Sequence, residues 1–298
     1  MSNTSSTDVS KPGIELRRIY DVFWRYAIYF FGAVSFVILL LIALFILREG
    51  YPAFEKIGIW QFISGQRWDV ADSAFGILPM IIGSLYVTLG ALVLSVPLGI
   101  FSAIFLTDVA PKKVRKIIRP AIELLVGIPS VVYGLVGMLM LVPVIQLSGQ
   151  GSGDSILAAS IVLAVMVLPT IVSITEDSIL AVPNAYREGA LALGSTKWQM
   201  IWNVVLPAAR SGIIASIALG MGRAIGETMA MIMVIGNSII IPDSIFSSAR
   251  TLTGTLALEL KYATGLHWNA LFATGVVLFI FILILNSFGI LLLRGKTK

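Results

Sequence analysis

The feature that most constrains this chain is the recurrence of long apolar runs. The first extends from Tyr26 to Leu47 without a single charge, and others cover residues 77–106, 117–144, 156–174, 212–235 and 269–293. Bilayer hydrocarbon is about 30 Å thick and takes about 20 apolar residues to cross as a helix. Runs of that length exceed what a soluble core can hide. Over the 298 residues 57% are hydrophobic and 12% charged, where a soluble domain carries about 25% charged residues. The expectation is therefore an all-α integral membrane protein with about six transmembrane helices. The first run is too long for a signal peptide and is followed by Arg48, Glu49 and Gly50 rather than small cleavage-site residues, so it reads as an uncleaved anchor. The absence of cysteine excludes disulfides, thiolate metal sites and a cysteine nucleophile. The lone His267, in a predicted loop, reads as a solvated side chain.

The net charge of +5 could indicate nucleic acid, but in so apolar a chain lysine and arginine mark the cytoplasmic side. With the N-terminus inside, fifteen basic residues fall on the inner side, in residues 1–25, 107–120, 175–210 and the tail, and five fall outside. Arg223 lies within a span and completes the total of 21. The threefold bias places both termini in the cytoplasm, with residues 1–25 as a cytoplasmic segment and residues 26–298 as one transmembrane domain. Residues 48–76, with Tyr51, Trp60 and Trp68, suit an external loop with interfacial aromatics. Pro97, Pro129 and Pro169 read as kinks that can also serve as hinges.

Residues 183–207 carry the most information. Pro183 can start a helix, Gly194 suits the left-handed residue that ends it, and Ser195 or Thr196 can cap a second helix that Pro207 would stop. Trp198, Ile201, Trp202 and Val205 fall at i, i+3, i+4 and i+7 and predict one apolar stripe. Packing on the membrane interface would explain such a stripe. The spacing of Glu188, Gly194, Leu206 and Pro207 offers another explanation. It resembles the cytoplasmic signature of permeases of ATP-binding-cassette importers: Glu-Ala-Ala, three residues, Gly, nine residues, Ile-x-Leu-Pro. Gly189 replaces the first Ala and Val204 the Ile. The resemblance implies that this helix pair is a coupling element docking in a groove of an ATP-hydrolysing subunit, with Glu188, Gly189, Ala190, Gly194, Leu206 and Pro207 as its signature positions. A phosphate-cradling loop needs Gly, four residues, then Gly-Lys-Ser/Thr ahead of a helix. The one Gly-Lys-Thr, at residues 295–297, has Ile290 where the first glycine belongs. ATP and magnesium are thus expected in a partner chain, with no cofactor or metal here and no catalytic chemistry.

Three stretches narrow the resemblance: residues 123–134, residues 219–230, and Trp68 with the Phe75-Gly-Ile-Leu-Pro79 run. Together they are similar to the permeases of the high-affinity phosphate importer, the C-type rather than the A-type subunit. That family implies a related A-type permease, two ATP-binding subunits and an extracytoplasmic phosphate-binding protein as partners, in the bacterial inner membrane. Sulfate or molybdate is the competing cargo. A self-sufficient secondary transporter is the competing class, opposed by the coupling signature and by the lack of a visible inverted repeat.

Arg223 and Glu227, four residues apart, are expected to share a helix face within a span. Ionised groups at that depth cost about 2.5–3.5 kcal/mol on insertion scales and face a bundle interior or wet cavity. One reading is an internal ion pair that fixes packing; the other has Arg223 facing the path of an oxyanion with Glu227 gating it, since a guanidinium presents parallel donors to phosphate. Glu123 is expected to pair structurally with Arg119. Ser130, Tyr133 and Thr228 could line the path or bond helices together. The charge bias predicts that a reporter fused after residue 65 appears outside and one fused after residue 190 inside; the reverse at either position overturns the topology.

Overall fold

A computed structural model describes residues 12–149 and 151–294 of the chain. The assignments made above for residues 1–11 and for Lys296 and Lys298 lie outside them. The chain divides into two units between Arg48 and Glu49. The helix α1 (Pro12–Ile57) crosses that division because no residue between Tyr26 and Leu47 interrupts it. In the first unit its aromatic and aliphatic side chains, such as Phe31, Phe36 and Leu41, are exposed, as a lipid-facing helix requires.

In the second unit α1 ends at Gly58, whose φ of 87° leaves the helical region. There follow α2 (Ile59–Ser64), a short antiparallel hairpin of β1 (Trp68–Asp69) and β2 (Ala74–Phe75), and α3 (Leu78–Ile104). After α3 come α4 (Lys112–Gly127), α5 (Ser130–Val136), α6 (Val142–Leu147) and α7 (Ile156–Leu180). The chain continues through α8 (Asn184–Ala192), α9 (Lys197–Met200), α10 (Leu206–Gly226), α11 (Met229–Val234), α12 (Leu252–Glu259) and α13 (Gly265–Arg294). Among the described residues six helical stretches are long and apolar enough to cross a membrane: Tyr20–Ile57, Leu78–Val109, Ser130–Leu147, Ile156–Leu180, Lys197–Gly226 and Gly265–Ser287. The expected all-α architecture with six spans is what the chain adopts.

Two of those spans differ from the sequence expectation. The third was expected over residues 117–144, but α4 is a separate helix with its charges on one face, and the chain is extended at Ile128 and Pro129 before α5 begins. Proline disfavours helical geometry in the residue before it, so Ile128 breaks the run. The fifth was expected over residues 212–235, but it starts at Lys197 and ends at Gly226. Pro207 does not stop it. A π-turn over Ile201–Val205 directs the Leu206 N–H to the Ile201 carbonyl five residues back, which widens the helix ahead of a residue that has no N–H and crowds the carbonyl four residues before it. The same device recurs. π-turns over Phe105–Val109 and Gly137–Leu141 each end two residues before a proline, Pro111 and Pro143.

The fourth span, α7, is the central element, with 67% of its most apolar window buried. It packs between α3 and α10, and Ile171 shows how closely. A β-carbon on Gly99 of α3 would lie 2.6 Å from the Ile171 Cγ2, and one on Gly220 of α10 would lie 2.9 Å from the Val167 Cγ1 and 3.0 Å from the Ile171 Cγ1. Small residues at these points let the backbones approach. Thr175 of α7 and Ser216 of α10, both fully buried, share a hydrogen bond of 2.9 Å that satisfies two hydroxyls within the core.

Glu259 of α12 ties together β1, α13 and the loop that carries Arg250. Its carboxylate accepts from Trp68 Nε1 at 2.8 Å and from Arg250 Nη1 at 2.5 Å, and lies 2.9 Å from His267 Nε2. His267, expected to be solvated, instead stacks on Phe75 with ring centroids 5.7 Å apart, and its side chain is 10% exposed. The correction follows from α13 starting at Gly265, which puts His267 in a first helical turn against the hairpin.

Filling the small-residue contact should destabilise this core. Gly220→Leu is expected to lower stability by about 1–3 kcal/mol through overpacking. Gly32→Ala, where no atom lies within 4 Å of the added carbon, should be neutral or slightly stabilising. Thermal unfolding of the detergent-purified variants measures both.

Candidate functional site

The helix pair made of α8, which follows the fourth span, and α9, which opens the fifth, forms as its local signals dictate. Gly194, with φ of 86°, ends α8 by donating to the Leu191 carbonyl at 3.0 Å, and Ser195 N donates to Ala190 O at 3.2 Å. Thr196 then caps α9 reciprocally with Gln199, at 3.3 Å and 2.9 Å. The predicted stripe divides. Ile201 and Val205 are buried with Ala190, Met200, Ile179 and Val182 against Ala103 and Ile104 of α3. Trp198 and Trp202 turn outward instead, 54% and 43% exposed, in an edge-to-face pair with centroids 5.6 Å apart. The division follows the helix rows, since Trp198 and Trp202 are four apart, as are Ile201 and Val205, and each pair stacks along its own line.

Of the signature positions, Glu188, Gly189, Gly194 and Pro207 are exposed, Leu206 is half-buried and Ala190 is buried. Around them stand Tyr186, Leu191 and Leu193, the last 90% exposed. Exposed apolar patches of this kind mark protein-interaction or membrane-facing surfaces.

Charged side chains tie this surface and its surroundings to the spans. Arg187 Nη1 donates to the Asp108 carboxylate and Nη2 to the Ile179 carbonyl at 3.0 Å. Glu176 of α7, its side chain 2% exposed, is held by Arg115 at 2.8 Å and Arg119 at 3.5 Å. Arg119 also meets Glu123 at 3.1 Å, the pair expected from sequence, and Asp177 at 3.3 Å. The Glu123 hydrogen bond first, then the charge of Glu176, raises the Arg119 pKa above its ordinary value. The sequence reading passed over Asp108, Glu176 and Arg187. The detectable signal for Glu176 was a carboxylate at the end of an apolar run, opposite arginines spaced four apart on α4.

Arg223 and Glu227 do not share a helix face. The fifth span ends at Gly226, and Glu227 is extended, with φ of −69° and ψ of 132°. Its Oε1 accepts from the Ala230 N–H at 3.2 Å and thereby caps α11, while its backbone carbonyl accepts from Thr253 Oγ1 at 3.0 Å. Among the described residues no ion pair joins Glu227 to Arg223. Capping wins because it satisfies an orphan N–H where the helix has just broken. Thr228 bonds locally to the Gly226 carbonyl at 3.2 Å. Across from this break lies the break at Ile128 and Pro129, spanned by Tyr133, whose hydroxyl donates to Leu125 O at 2.9 Å. The two half-helices meet where a β-carbon on Gly134 would lie 2.8 Å from the Ala230 Cα. Broken spans at membrane depth occur where backbone lines a cavity or is buried in protein.

Six spans, a facing pair of broken helices and an exposed helix pair between spans define a helical membrane transport subunit. The chain belongs to the family described as the binding-protein-dependent transport system inner membrane component, whose model matches residues 95–296. It is an ABC importer permease. Among its relatives, the probable ABC transporter permease protein YqgH of Bacillus subtilis is 43% identical over 85% of this chain and 83% of that protein. The phosphate transport system permease protein PstC of Xylella fastidiosa (strain 9a5c) is 39% identical over 84% and 83%, and that of Pasteurella multocida 33% identical over 94% and 93%. In fold the chain is similar to a bacterial alginate ABC transporter solved with its pentasaccharide-bound periplasmic protein, with a TM-score of 0.67, 18% identity, and 95% of this chain and 98% of that one covered. It is also similar to the MetNI methionine ABC transporter in inward-facing form, with a TM-score of 0.55, 19% identity, and 75% and 95% covered.

The absence of an Arg223–Glu227 pair has a measurable consequence. Arg223→Gln strands no carboxylate, and Glu227→Gln keeps an acceptor for Ala230. Both should therefore insert and fold, and the stability of the double variant should equal the combined single effects within about 0.5 kcal/mol. Recovery of folded protein in the double variant, relative to either single, would restore the ion pair as an account.

Proposed function

We propose that this chain is the C-type permease subunit of an ATP-driven importer that passes inorganic phosphate into the cytoplasm. It works beside a related A-type permease, with two ATP-binding subunits that carry the ATP and magnesium and an extracytoplasmic phosphate-binding protein that delivers the cargo. Its termini lie in the cytoplasm, and residues 183–207 are the coupling element seated in the ATPase groove.

The observation that carries this reading is the exposed helix pair, which presents Glu188 and Gly194 beside bare apolar side chains on a chain that lacks a nucleotide-binding loop of its own. The relatives named as phosphate transport permeases supply the choice of cargo. Arg223 fits that choice. It sits half-exposed at a helix break in the fifth span without a carboxylate partner among the described residues, so its fork of donors remains open to a passing oxyanion. Glu227, as the cap of α11, sets the position of that half-helix and so the width of the path.

Cells lacking this chain are expected to lose high-affinity phosphate uptake while sulfate uptake stays unchanged, and the purified chain should bring a stoichiometric ATPase with it. Loss of sulfate uptake instead would reassign the cargo. Transport by the chain alone in vesicles would replace the importer with a secondary transporter.

A further inference from the structure

Arg187 stands one residue before Glu188, yet it faces the opposite way. Glu188 is exposed, whereas the Arg187 side chain is 17% exposed and its partner Asp108 5% exposed. Its two terminal nitrogens hold two different elements. Nη1 binds Asp108 in the π-turn that prolongs α3, and Nη2 binds the carbonyl of Ile179 in the last turn of α7 at 3.0 Å. Asp108 is itself oriented by Thr107, whose hydroxyl donates to the second carboxylate oxygen at 2.8 Å. Among the described residues these are the side-chain polar bonds between α8 and the spans. Beside the short chain links to α7 and α9, α8 packs through Ala190, in the apolar cluster with Ile179, Val182 and Ile104.

The two kinds of contact respond differently to a pull on α8. Apolar burial is non-directional, and surfaces joined by it can slide with little loss. A charged fork bonded at both tips is directional, and breaking either bond in a buried site leaves a charge or a carbonyl unpaired. We propose that Arg187 is a positioning residue that makes α8 and the adjacent ends of the second and fourth spans move as one body, so that displacement of the docked helix pair reaches the spans instead of being lost as slippage. Lysine cannot replace it, because one ammonium on a flexible stem does not hold two partners in fixed directions.

This inference rests on the importer reading, and the test separates the two. The complete complex is reconstituted in liposomes with phosphate-loaded binding protein, and phosphate imported per ATP hydrolysed is measured for wild type, Arg187→Lys and Asp108→Asn. A wild-type complex that holds no ATPase or moves no phosphate refutes the importer reading. Given a coupled wild type, both variants should retain the ATPase at normal stoichiometry and continue to hydrolyse ATP, while the ratio falls about tenfold, the scale of losing one hydrogen bond to a charged group. A ratio within twofold of wild type in both variants overturns the inference. So does failure of both to assemble, which would make the pair a determinant of folding alone.

Discussion

Every backbone N–H and C=O inside hydrocarbon must find a partner within the protein, because each one left open costs several kcal/mol and no water is there to take it. This chain places prolines in or beside five of its spans, among them Pro52, Pro97, Pro111, Pro143, Pro169 and Pro207, and each removes a donor. The structure answers at three of them with a π-turn that ends two residues earlier and redirects a carbonyl to a donor five residues on. Where a helix does break, at Ile128 and at Glu227, side chains close the gap. Tyr133 bonds back across the first break, and Glu227 caps the helix that follows the second.

The same demand for satisfaction organises the charges. Asp108 and Glu176 lie at the ends of spans and are almost wholly buried, and each is met by arginine from a neighbouring helix. A buried carboxylate without such a partner would be strongly destabilising, and with one it gains direction rather than much net stability. Direction is what a transport subunit needs. Through Arg187 the exposed helix pair is fixed to α3 and α7, and through Arg115 and Arg119 the fourth span is fixed to α4, which leads into the half-helix facing α11. Contact along such a path is compatible with coupling.

The number and character of the spans were legible because a twenty-residue apolar run has one solution in a bilayer. The turn and caps over residues 183–207 were legible because Gly194, Thr196 and their neighbours are local signals for turn and cap. Three readings failed, two through a local choice of backbone geometry and one through a contact remote in sequence. The carboxylate of Glu227 chose the Ala230 N–H over Arg223, a choice set by the helix ending at Gly226. His267 was drawn out of solvent by Phe75 and Glu259, remote in sequence. Pro207 was expected to stop a helix, and the π-turn before it let the helix run on into the fifth span.

By itself the sequence determined that this is a six-span membrane protein with a capped helix–turn–helix after its fourth span, because hydrophobic length, turn glycines and caps act over a few residues. The tertiary structure alone decided which charges meet. Asp108 lies 79 residues from Arg187, and Glu176 lies 61 from Arg115. Spacing along a helix cannot reveal such pairs, because they form only when α3, α7 and α10 pack closely enough at Gly99 and Gly220 to bring those helix ends together.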